Sequence, residues 1–220
     1  MSSHAFTNAH VELKPTVAFR NYARPKTLPV ILSRQEIWKM LKSAQLLKHK
    51  LLIDLLYGCG LRCQEVRNLE LKHIDFHRKL IHIVQSKGNK DRYVPLSEDL
   101  IRGIKKYISA QHPKKYLFEG KGNPEGKDFD GRYSQRGVQW AVKTVAKQAG
   151  ILKEVHTHML RHTYATHLLE DGVNILTVQK LMGHANIDST MIYLHVCTAP
   201  DQLPLSPLDK VFTLCSRSGK

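Results

Sequence analysis

"HTHMLRHTYATHLL", residues 156–169, holds four histidines and one arginine in fourteen residues. Histidine binds metal, moves protons, contacts phosphate or fills space between helices. The metal reading rests on His158 and His162, spaced i,i+4 on one helix face. A catalytic zinc helix places glutamate directly after its first histidine. Here Met159 stands there, and Arg161 would repel the ion, so no metal is expected. His162 and His167 suit a place between packed helices, with His162 supporting the site from behind. His158 and Arg161 are i,i+3 and project together near the helix start. Backbone N–H groups at a helix N-terminus favour an anion, and the guanidinium fork matches phosphate oxygens. The pair therefore reads as half of a phosphate clamp. His156 has no assigned role.

Working outward, Thr157 is the expected N-cap of this helix and Gly172 its stop. Asn174–Met182 forms a short helix ended by Gly183, and Asp188 or Ser189 caps the next, which carries Tyr193. Upstream, Val138, Ala141, Val142, Val145 and Ala149 make one apolar helix face ending at Gly150. Ser33 with Glu36 is a capping box, and Ile37, Met40, Leu41 and Ala44 continue at helical spacing. Leu51–Tyr57 reads as a buried helix that stops at the glycines of residues 58–60, with a third helix from Leu61 to about Leu69. The period then changes. Residues 80–84, "LIHIV", and 92–96, "RYVPL", alternate as strands around a hairpin turn, 86–91. Ser97 caps another helix, "YLF" at 116–118 is the candidate third strand, and 119–133 is a glycine-rich loop. The expected fold is mainly α with a small antiparallel three-stranded sheet, an α+β chain.

The 220 residues suffice for one ordinary domain with a core. The formal charge is +15, from 34 basic and 19 acidic residues, which suits a polyanionic partner; composition alone fits a merely basic soluble chain equally well. Residues 14–50 carry nine basic residues and one acid, a net +8. Such a segment suits a nucleic-acid backbone, although a solvated helix face has the same composition. Cys59, Cys63, Cys197 and Cys215 form neither a disulfide framework nor a CxxC pair. No apolar targeting segment or membrane-spanning run is present, so the expected location is cytoplasmic.

Other segments can complete the clamp. "GCGLRCQEV", residues 58–66, puts Arg62 after a glycine turn, with Glu65 three residues on to orient it. "SKGNKDR", residues 86–92, puts Lys87 at a hairpin tip. "LMGHANIDSTMIYLHV", residues 181–196, puts His184 after a helix-ending glycine and Tyr193 nine residues later. Singly, each fits an ordinary surface or core role.

In order, the five motifs closely resemble the tyrosine recombinases, or phage integrases, over about residues 25–196. The resemblance implies that family's catalytic fold for residues 30–196 and site-specific cleavage and rejoining of double-stranded DNA. It makes Tyr193 the nucleophile of a 3′-phosphotyrosyl intermediate. Arg62, Lys87, His158, Arg161 and His184 are the activating residues, and Glu65 is the supporting acid. On chemical grounds, Lys87 is the candidate general acid for the leaving 5′-oxygen and His158 the candidate acceptor of the tyrosine proton. The guanidiniums supply the charge, so no cofactor is implied. Lys90, Arg92 and Arg136 are named as phosphate contacts. The alternatives are strand relaxation like that of type IB topoisomerases, separable by a plasmid relaxation assay, and a catalytically silent DNA-binding regulator.

Family members usually carry a helical DNA-binding domain before the catalytic one. Here the catalytic pattern begins by about residue 30, which implies either an excised catalytic domain or a short member. Residues 1–29 would be a basic segment and linker, with Arg24 and Lys26 against phosphates. Residues 197–220 would be a tail whose apolar stretch, 203–214, docks on a neighbouring protomer of a DNA-bound tetramer.

Overall fold

A computed structural model describes residues 28–86, 90–120 and 130–197. Lys87, Arg24, Lys26 and the tail beyond 197 lie outside the described residues, as does the Lys90 side chain. The elements run α1 (Arg34–Ser43), α2 (Leu47–Gly58), α3 (Cys63–Arg67), a 3-10 turn (Leu71–His73), β1 (Ile74–Asp75), β2 (Leu80–Ser86), β3 (Lys90–Pro95), α4 (Glu98–Gln111), α5 (Gln135–Gln148), α6 (Thr157–Glu170), α7 (Ile175–Met182), α8 (Asp188–Met191) and a 3-10 turn (Ile192–His195). Among the described residues, no helix is long and apolar enough to cross a membrane.

Helix starts follow local chemistry. Ser33 and Glu36 form the expected capping box, with Ser33 N–H to Glu36 Oε2 at 2.7 Å and Glu36 N–H to Ser33 Oγ at 3.2 Å. Ser97, Ser134 and Asn174 cap α4, α5 and α7 with their side chains. Two expected caps are replaced. His156, not Thr157, caps α6: its backbone is extended and its Nδ1 accepts the Met159 N–H at 3.1 Å. Thr157 is the first helical residue, and it is buried. Ile187 precedes α8 with no side-chain cap, and Asp188 is already helical.

The sheet is antiparallel in the order β1-β2-β3, with Ile81 opposite both Ile74 and Val94. Its third strand is β1, not 116–118. Asp75 Oδ1 accepts the His77 and Arg78 N–H groups, and Lys79 takes φ 57°, so the chain turns back at once and pairs locally. Tyr116 instead makes an isolated bridge with Glu70, and Leu117 N–H donates to Leu69 O at 2.8 Å.

The core sits around α2, which packs against α4, α5 and α6. Leu51, Leu52, Ile53, Leu55 and Leu56 are consecutive or nearly so and all buried, as expected for a helix covered on every side. A second, smaller cluster joins Tyr164, Ala165, Val178, Met182 and Tyr193. It fixes α6, α7 and the 192–195 turn relative to one another, and the candidate site lies along this junction.

Candidate active site

The site starts at a glycine. Gly60 takes φ 59°, and a Cβ there would lie 2.3 Å from the Tyr164 ring. The turn thus lets the backbone press against α6. Its carbonyl accepts a hydrogen bond from Arg161 Nη1. Two residues on, Arg62 is the N-cap position of α3. Its N–H and its Nη1 both donate to the Glu65 carboxylate, each at 2.7 Å.

Glu65 is the centre of the cluster. Arg92 Nη1 and Nη2 reach its two oxygens at 2.8 Å, a bidentate pair, and Arg161 Nη1 stands 3.8 Å away. Burial alone pushes the Glu65 carboxyl up. The Arg92 hydrogen bonds and charge, the Arg62 N–H and the Arg161 charge outweigh it and hold the group at about 2.

Three guanidiniums meet one helix end. Leu181 O accepts from Arg92 Nε at 2.8 Å, Met182 O from Arg161 Nη2, and Gly183 O from Arg62 Nη2 at 3.4 Å. Terminal helix carbonyls lack partners within the helix and carry partial negative charge. Gly183 closes α7 with φ 59°, as the sequence suggested. Arg161 is 4% exposed, and its guanidinium is pushed down to about 10 by burial, then by the Arg62 charge.

The histidines and the tyrosine line the same junction. Tyr193 is 1% exposed. Burial raises its phenol above the usual range, against the opposing charges of Arg161 and Arg62. His162 Nδ1 lies 3.0 Å from the Tyr193 hydroxyl. The His184 ring is stacked at 6.2 Å from the tyrosine ring, and its Nδ1 lies 2.9 Å from Thr190 Oγ1. Burial first, then neighbouring positive charge, pushes both His162 and His184 down to about 4. His158 is exposed, with its ring centre 6.5 Å from that of His162. Partial desolvation, then His156, Arg161 and Arg62, lower its pKa too.

Of the residues expected from sequence, Arg62, Glu65, Arg161, His162, His184 and Tyr193 converge, with His158 at the rim. The phenol hydrogen bond goes to His162, one turn along from His158, which the sequence favoured for that contact. Arg92 differs most from expectation. It is 8% exposed and braces Glu65 and Leu181, so its guanidinium faces the protein rather than a backbone phosphate. The signal was present: Arg92 shares its strand face with Val94, whose burial the alternation implies. Arg136 is exposed in the first turn of α5. His167 pairs with Tyr57 Oη at 2.9 Å, between α6 and α2 as expected of a packing histidine. Among the described residues, no group of three His, Cys, Asp or Glu is placed to hold a metal ion.

Comparison with known proteins gives the same architecture. The crystal structure of the XerA recombinase superposes with a TM-score of 0.68 at 28% identity, covering 87% of this chain and 66% of that one. The XerH site-specific recombinase bound to palindromic difH substrate, a post-cleavage complex, gives 0.67 at 26%, covering 78% and 51%. The fold is therefore that of a tyrosine recombinase catalytic domain. Tyrosine recombinase XerA of Pyrococcus horikoshii is 38% identical over 180 residues, and a tyrosine recombinase of Thermosipho africanus is 40% identical over 174. These matches cover 81% and 78% of this chain but 61% and 59% of the relatives, so the chain spans about six-tenths of their length. The phage integrase family model matches residues 31–199, and the chain belongs to that family.

Proposed function

We propose that this chain carries out the strand cleavage and rejoining of a site-specific DNA recombinase. The observation that carries the reading is the convergence of Arg62, Arg161, His184 and Tyr193 from separate segments onto one junction, with Glu65 holding the arginines. The Tyr193 oxygen attacks the scissile phosphorus, the Tyr–O–P bond forms, and the P–O5′ bond breaks. The product is a 3′-phosphotyrosyl ester that keeps the phosphoester energy for rejoining. Arg62 and Arg161 stabilise the charge that develops on the non-bridging oxygens. His158 at the rim and His184, through Nε2, add hydrogen bonds. Lys87 gives the leaving oxygen its proton. Arg92 is a positioning residue, acting through Glu65.

The partner is double-stranded DNA. Recombination breaks two strands in each of two duplexes, so four tyrosines are needed and the working assembly is a tetramer. Its tail, 203–214, reaches the neighbouring protomer. The XerH recombinase was crystallised bound to palindromic difH substrate, and the Tn1549 transposon integrase in complex with transposon right end DNA, which supports the DNA reading.

The test is a nicked suicide duplex that traps the covalent adduct. Wild type forms an SDS-resistant protein–DNA species, and Tyr193→Phe forms none. Arg161→Lys slows the adduct by about 10²–10³-fold, the usual loss of one preorganised donor. An adduct with Tyr193→Phe sinks the assignment.

A further inference from the structure

Among the described residues, the phenol oxygen has one hydrogen-bond partner, and it is not the histidine that the sequence favoured. His162 Nδ1 stands 3.0 Å from it. The His158 ring is exposed, its centre 6.5 Å from that of His162, and the His184 Nδ1 is engaged with Thr190. Burial first, then the positive charges of His158, Arg161 and His156, push His162 down to about 4 and disfavour an imidazolium in the resting site. A neutral imidazole has one acceptor nitrogen. With its hydrogen on Nε2, Nδ1 accepts the phenol O–H; with its hydrogen on Nδ1, it donates to the phenol oxygen instead. Proton transfer from the phenol requires the first tautomer.

We propose that His162 is the catalytic residue that takes the Tyr193 proton as the Tyr–O–P bond forms. The inference rests on the recombinase reading above. In the step, the phenol O–H bond breaks and its proton moves to His162 Nδ1. The oxygen electron pair forms the bond to phosphorus, and the P–O5′ pair leaves to be protonated separately. The arriving phosphate brings the negative charge that an imidazolium beside Arg161 needs. His158 is then a phosphate donor rather than the base.

The experiment measures adduct formation on the suicide duplex, with DNA binding followed in parallel. His162→Gln and His162→Asn should bind DNA as wild type does and cleave about 10²–10⁴-fold more slowly, the usual worth of a general base. A fluorinated tyrosine at position 193, whose phenol is more acidic, should recover at least tenfold in His162→Gln and little in His158→Gln. Wild-type cleavage by either His162 variant overturns the proposal. So does recovery in the His158 variant instead, or in neither. Nitrogen NMR of the unsubstituted chain gives a second check that needs no folded variant. His162 should show a hydrogen-bonded, unprotonated Nδ1, and a protonated Nδ1 overturns the assignment. Absence of any wild-type adduct is a separate result: it removes the recombinase reading and this proposal with it.

Discussion

Glu65 shows how one carboxylate can organise several cations. It is 8% exposed at the side chain and faces Arg62, Arg92 and Arg161. Removing one partner of such a buried network costs roughly 3–5 kcal/mol, because the remaining charges stay buried without compensation. Glu65→Gln should lose about that much in denaturant melts at pH 7. The pH dependence has a definite sign. The folded carboxyl sits at about 2, below its ordinary 4.5. Its stabilisation is complete above about pH 4.5 and is lost as pH falls through 2. The gap between wild type and Glu65→Gln should therefore shrink on acidification from pH 5 to pH 2; a constant gap would show that the carboxylate charge is not what stabilises. Legibility was uneven at this scale. Arg62, Glu65 and Arg161 stand in recognisable spacings. The brace by Arg92 and the His162–Tyr193 contact join residues 27 and 31 positions apart, which local spacing does not encode.

At the scale of elements, the glycine turn after α2 matters more than its length implies. Gly60 combines a left-handed backbone with contact against Tyr164, and its carbonyl holds Arg161. Gly60→Ala should lower stability by at least about 1 kcal/mol from the backbone alone, with a further loss from the clash. It should also slow adduct formation, since the Arg161 acceptor shifts. Thermal melts and the suicide-duplex rate check both, and an unchanged rate would mean that Arg161 is held without the turn. Helix positions were legible because serine caps and apolar periodicity act over a few residues. The third strand was not. Both "ID" and "YLF" are short and apolar at one end, and only the tight turn at 76–79 decides which one pairs with β2. His156 as a cap was hidden for a different reason: imidazole is an uncommon acceptor at a position where Ser, Thr, Asp and Asn dominate.

Over the whole molecule, the net charge of +15 would set the terms of the DNA binding proposed above. Each phosphate contact adds about 0.9 to the slope of log affinity against log salt. Arg136 is exposed at the start of α5, where Gln135 Oε1 meets Gln64 Nε2 at 2.7 Å beside Arg62. Arg136→Gln should reduce that slope by about 1 on specific and unrelated duplexes alike. An unchanged slope in salt titrations places Arg136 away from the backbone.

The end of α7 has a thermodynamic corollary. Its last carbonyls gather three arginines that arrive from β3, α3 and α6, so the fold spends stability to hold cations together. The lowered Arg161 value, about 10, reflects burial first and then the repulsion by Arg62. A small tetrahedral or trigonal-bipyramidal anion seated there relieves it, and binding of that kind shifts the unfolding equilibrium by mass action. Vanadate or inorganic phosphate, at fixed ionic strength, should raise Tm with the logarithm of its concentration, and Arg161→Met should abolish the rise. If chloride does as well, the effect is general screening. If not, substrate and fold are linked quantities: the domain is most stable when a phosphate occupies the junction that its own helix end assembled.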